Sequence, residues 1–147
     1  MKTTLVVLVV TLVGCAVDGY RSELERLPTV TVTHGAEAVA IVAHSMGIDA
    51  EALGVAWVVG GMRDPHGEPI AGVAIGCDLW IAWWSSRDTS GASADGPAIS
   101  FTALAHEVAH CALWLADADD PGHARADWWG AGGMVEQANA ELMAIGL

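Results

Sequence analysis

The chain has 147 residues, enough for one domain. Six basic and 18 acidic residues leave a formal charge of −12 at pH 7, and 53 % of the residues are hydrophobic. A surface of that sign repels nucleic acid and anionic lipid heads, which excludes both as partners, while the apolar material is ample for a packed core.

The first 14 residues, "MKTTLVVLVVTLVG", carry one lysine and then an apolar run. The run is shorter than the roughly 20 residues that a membrane-spanning helix needs, and it reads as a secretory signal peptide. Leu12-Val13-Gly14-Cys15 ends it. That quartet resembles the lipobox of bacterial lipoproteins, and the resemblance implies lipidation of Cys15 and cleavage just before it. Cleavage would remove Lys2 and leave 5 basic against 18 acidic side chains, a charge of −13. Ala16 follows the cysteine; by resemblance to enteric lipoproteins it lacks the signal for retention in the inner membrane. The expectation is an exported protein anchored to the bacterial cell envelope, at the outer membrane rather than the inner. It would touch the membrane through its lipid alone, and two or more acyl chains would hold it stably.

Residues 15–28 are polar and end in proline, which reads as a tether with room for one helical turn; 29–147 reads as the folded domain. "TVTVT" (29–33) alternates β-branched residues as a strand does. Ala38, Ile41, Val42 and Ser45 then recur at helical spacing, with Thr33 or His34 near the N-cap and Gly47 at the C-terminal end. Segments 54–62 and 69–76 are apolar and glycine-containing, and the turn-rich "RDPHGE" between them suggests a hairpin. "DLWIAWW" (78–84) is a further strand, and 85–97 is a loop without periodicity. A helix over about 100–116, a second loop and a helix over 132–147 complete the chain. This order predicts an α+β fold: a small mixed sheet of about four strands with packed helices.

The helix over 100–116 carries the chemistry. Phe101, Leu104, Val108 and Leu115 form an apolar stripe, and His106 and His110 stack one turn apart on an adjacent face. Two imidazoles so placed can share one Zn²⁺, and Glu107 beside them can serve as general base toward water. Catalytic zinc usually takes a third protein ligand. His123 is the first candidate, because Pro121-Gly122 supplies a turn that returns the chain toward His110; Asp127 and Glu136 compete for the role.

The string His106-Glu107-Val108-Ala109-His110 resembles the active-site helix of the zincin metallopeptidases. The resemblance implies zinc held by His106 and His110, Glu107 as catalytic base, and a sheet edge over the cleft that binds an extended peptide or protein substrate. Metzincins place glycine and histidine where this chain has Leu113 and Ala116, so it departs from that branch. The whole string to Trp129 looks similar to small metalloprotease lipoproteins of bacteria. The alternative is a zinc-containing binding or structural envelope lipoprotein without turnover.

Cys77 and Cys111 remain after Cys15 is assigned to lipid, and in an oxidising compartment they are expected to pair. Cys111 points off the metal face. Trp114, one turn beyond His110, is either a core residue or a wall of the site. Trp128 and Trp129 are expected to pack the His123 loop against the body. The run Asp117, Asp119 and Asp120 is a solvated loop, a source of one acid that orients a ligand imidazole, or a calcium loop. The oxyanion contact has no evident donor: Tyr20 lies in the tether, leaving His34, His44, His66, Arg63 and Arg87. The lipobox makes the first testable expectation. Wild-type protein should partition into the detergent phase and Cys15→Ser into the aqueous phase; a wild type already in the aqueous phase would remove the anchor.

Overall fold

The computed structural model describes residues 17–83 and 96–147. Cys15 and the signal-like run therefore lie outside the described residues, as does most of the loop over 85–97. The fold is α+β. In chain order the elements are helix α1 (residues 17–24), helix α2 (Gly35–Ser45), a 3₁₀ turn (Ala50–Ala52), and strands β1 (Gly54–Val59), β2 (Met62–Arg63), β3 (Pro69–Ile70), β4 (Gly72–Ile75) and β5 (Asp78–Trp83). Helices α3 (Gly96–Leu115), α4 (Ala126–Trp129) and α5 (Met134–Ala144) follow.

Strand β5 is the centre of a mixed three-stranded sheet in the order β1-β5-β4. It pairs parallel with β1 and antiparallel with β4. Leu79, Trp80, Ile81 and Ala82 are all buried, because β5 is covered on both faces; this is why its sequence is a continuous apolar run rather than an alternation. Leu79 and Ile81 pack with Leu104 and Val108 of α3, Val42 of α2 and Leu142 of α5. Trp57, Trp83 and Phe101 extend this core in mutual edge-to-face contacts of 5.7–5.8 Å. On the other face Trp80 and Ala82 pack with Val58, Met62 and Leu24.

Several expectations are corrected. The hairpin expected between 54–62 and 69–76 shrinks to the two-residue β2–β3 ribbon; β1 instead pairs with β5, and β4 with β5. Parallel pairing joins residues distant in sequence and leaves no turn signature to read. "TVTVT" forms one bridge, Thr29 with Val58, rather than a strand. The supposed tether is helix α1, docked on the sheet. Leu24 is buried, Tyr20 Oη donates to the Arg63 carbonyl at 2.9 Å, and Arg21 pairs with Asp78 at 2.6 Å. Leu115, placed on the apolar stripe of α3, is exposed at the helix end.

Cys77, in the turn between β4 and β5, and Cys111 of α3 form a disulfide. It fastens one end of the edge strand to the helix immediately beside His110. Closing a loop of 34 residues constrains the unfolded chain, and replacing both cysteines by alanine is expected to cost about 3–4 kcal/mol. Chemical denaturation of the two proteins measures the difference; equal midpoints at equal slopes would contradict it.

Candidate metal centre

His106 and His110 lie one turn apart on α3 because a helix advances four residues in slightly more than a turn. His123 comes back to them from the loop after α3. The His123 amide donates to the Asp120 carbonyl at 3.1 Å, closing a turn around Pro121 and Gly122, and His123 adopts the left-handed conformation with φ of 52°. Its Nε2 stands 3.1 Å from Nε2 of His106 and 3.1 Å from Nε2 of His110. The candidate ligand atoms of all three lie within 4.8 Å of one another, close enough to hold a metal ion.

The donor set fits zinc. A 3.1 Å separation between two nitrogens, each 2.0–2.1 Å from one ion, subtends about 100° at the ion, near the tetrahedral angle. The ligands must be neutral to bind. Burial, followed by the neighbouring His110 and His123, lowers His106 to about 4. His110 is lowered by burial and by His123, with Asp119 and Asp120 pulling the other way.

The other proposed ligands are engaged elsewhere. Asp127 is exposed and paired with Arg125 at 2.8 Å. The exposed Glu136 carboxylate accepts the Gly132 amide at 2.6 Å, at the start of α5.

A supporting shell holds the cluster. The Trp129 indole centroid is 4.9, 4.8 and 4.4 Å from the rings of His106, His110 and His123. Such near-equal separations place the indole close to the axis the three rings share, where it constrains their mutual orientation. Trp129 Nε1 donates to Asp120 Oδ2 at 3.1 Å, and the Arg125 amide donates to the same oxygen at 2.8 Å. Asp120 thus ties the His123 turn to the tryptophan, and these contacts, the Arg125 amide first, hold its carboxyl below the ordinary range. Asp119 Oδ1 is 3.9 Å from His110 Nδ1, beyond hydrogen-bond reach but close enough to act through its charge.

Glu107 occupies a different setting. It is 7 % exposed and packs against Gly72 of β4: a Cβ there would stand 2.7 Å from Glu107 Cγ. Burial raises its carboxyl to about 7, with the nearby Ala74 amide pulling the other way. Strand β4 lies at the edge of the sheet. Because the Ala82 amide donates to the Ala71 carbonyl, ladder alternation turns the backbone groups of Gly72 and Ala74 outward, to the side of β4 that no strand among the described residues pairs with.

Glu107 and His110 line a cleft of about 370 Å³ with Gly72, Ala74, Tyr20 and Trp114 among its other walls. Trp114 is 52 % exposed, a wall rather than a core residue. Tyr20, set aside in sequence as part of a tether, enters the cleft from α1. The signal for it was present: Tyr20, Leu24 and Leu27 recur at i, i+4 and i+7, and all three pack on the sheet. Of the other oxyanion candidates, His34 pairs with Glu37 and the Arg63 side chain donates to the Gly67 carbonyl. Arg87 lies outside the described residues. No protein-family profile, characterised protein or solved structure matches this chain.

The burial of Glu107 predicts a pH dependence. Its carboxyl ionises near 4.5 in the unfolded chain and near 7 in the fold, so the folded state binds the proton more tightly. That contribution is fully present below the unfolded value and is lost as pH rises through the folded one. Metal-free wild type should therefore lose roughly 3 kcal/mol relative to Glu107→Gln between about pH 5 and about pH 8. Denaturation across this range checks it, and parallel stability curves would refute it.

Proposed function

We propose that the protein is a zinc-dependent metallopeptidase of the zincin type, exported and lipid-anchored, that hydrolyses peptide bonds. The observation that carries this reading is the convergence of the His106, His110 and His123 nitrogens at ligand spacing, with His110 and a buried Glu107 lining a cleft beside the edge strand β4. Three neutral imidazoles leave zinc one position for water, the arrangement of a catalytic rather than a closed structural site.

When bound, zinc would supply Lewis acidity, making water more acidic and polarising a carbonyl. The protein's own groups do the rest. Among the described residues nothing in the backbone pairs with the outward groups of Gly72 or the Ala74 carbonyl, which leaves them to a peptide laid along β4 as an added strand. Glu107 takes the proton from the attacking water and delivers it to the leaving amine. Its side chain is seated for this in the space left at Gly72. Tyr20, the chain's one tyrosine, lines the same cleft and is assigned the oxyanion contact; its hydroxyl, now on the Arg63 carbonyl, would turn to the developing charge. Trp129 and Asp120 hold the ligands in register.

Zinc per chain and cleavage of a broad peptide library, measured on the same preparations, test the assignment. His106→Ala, His110→Ala and His123→Ala should lose most of the zinc, and Trp129→Ala should weaken its binding by about 10-fold or more. Asp127→Ala and Glu136→Ala should retain it. Glu107→Gln should keep zinc and lose hydrolysis by about 10²- to 10⁴-fold. Full zinc occupancy in a wild type that cleaves nothing would favour a binding or structural lipoprotein.

A further inference from the structure

The cleft carries charge of one sign. Asp64, at the turn between β2 and β3, and Asp119, in the loop after α3, both line it, and among the described residues no lysine or arginine does. Three of the described arginines are committed elsewhere: Arg21 to Asp78, Arg63 to the Gly67 carbonyl and Arg125 to Asp127. Asp64 is fixed by its turn, since its Oδ1 accepts the amides of His66 and Glu68 at 2.8 and 2.9 Å; neither contact neutralises its charge. Asp119 is 51 % exposed, and its nearest ionisable partner, His110, is beyond hydrogen-bond distance.

Beside these carboxylates and His110 the cleft offers an aromatic surface. Trp114 lies against the bare backbone of Gly76, 3.7 Å from where a Cβ would stand, and still leaves half of its area open. An exposed indole with carboxylates in the same cleft suits a long aliphatic stem that ends in positive charge. The stem covers the ring, and the cation meets both the π face and the acids. An acidic side chain would meet like charge there, and the chain's overall charge of −12 has the same sign.

We propose that this cleft selects cationic peptides, seating a lysine or arginine side chain on Trp114 within reach of Asp119 and Asp64. The proposal rests on the peptide reading of the same site and names its substrate class. It also gives Trp114 and Asp119 a part in recognition that is separate from proton transfer by Glu107.

The test measures binding apart from turnover. Zinc-loaded Glu107→Gln protein is titrated calorimetrically with three end-blocked peptides, identical except for a central lysine, glutamine or glutamate. The lysine peptide should bind about 10-fold tighter than the glutamine peptide, and the glutamate peptide weakest. Adding Trp114→Leu or Asp119→Asn, each first shown to retain zinc, should cut the lysine advantage about fivefold and change the glutamine peptide's affinity by less than about twofold. Equal affinity for lysine and glutamine peptides, a lysine advantage that survives both substitutions, or no binding of any peptide would overturn the proposal. Wild type that prefers the lysine peptide yet never cleaves it would leave the selectivity standing and remove hydrolysis. Cleavage without charge preference would do the reverse.

Discussion

Helix α3 and strand β4 meet through a side chain and a missing one. Glu107 fills the space that a Cβ on Gly72 would need. This contact sets the distance between the helix that carries His106 and His110 and the open edge of the sheet. A bulkier residue at position 72 would push the helix off the strand or drive the carboxylate out of its pocket. The cleft that Glu107 and His110 line and the burial of Glu107 both follow from that close approach. The disulfide reinforces it from the other end, joining the β4–β5 turn to the helix one residue beyond His110.

The site is divided between two mechanical parts. His106, Glu107 and His110 sit on a helix whose apolar stripe is buried over Phe101, Leu104 and Val108, the last two at 0 % exposure. Such a helix has little freedom to move. His123 sits on an exposed turn and depends on local contacts instead. Asp120 gathers the Arg125 amide and the Trp129 indole, and Trp129 presses against all three imidazoles. The acidic run after α3 is therefore not simply a solvated loop. Asp120 organises the turn, and Asp119 places negative charge near His110 and in the cleft.

Much of this was legible in the sequence where the signal is local. Helical spacing put His106, Glu107 and His110 together, the Pro121-Gly122 turn made His123 reachable, and an even pair of cysteines pointed to the bridge. What stayed hidden depends on contacts between distant segments. The parallel pairing of β1 with β5 has no turn to announce it. Gly72 looks like any glycine in an apolar strand until Glu107 is seen filling its space. Trp129 resembled ordinary packing, because its relation to three rings exists only once the loop has folded back. Tyr20 was legible but overlooked: a polar composition outweighed its spacing with Leu24 and Leu27.

The central claim is that three histidines and no other side chain hold a single zinc ion, leaving a position open to water. X-ray absorption spectroscopy of the zinc-loaded protein tests it most directly. The account predicts three imidazole nitrogens at about 2.0–2.1 Å and one further light-atom ligand from solvent, unchanged in Asp127→Ala and Glu136→Ala. A sulfur scatterer, a fourth imidazole, or loss of a ligand on replacing either carboxylate would contradict it.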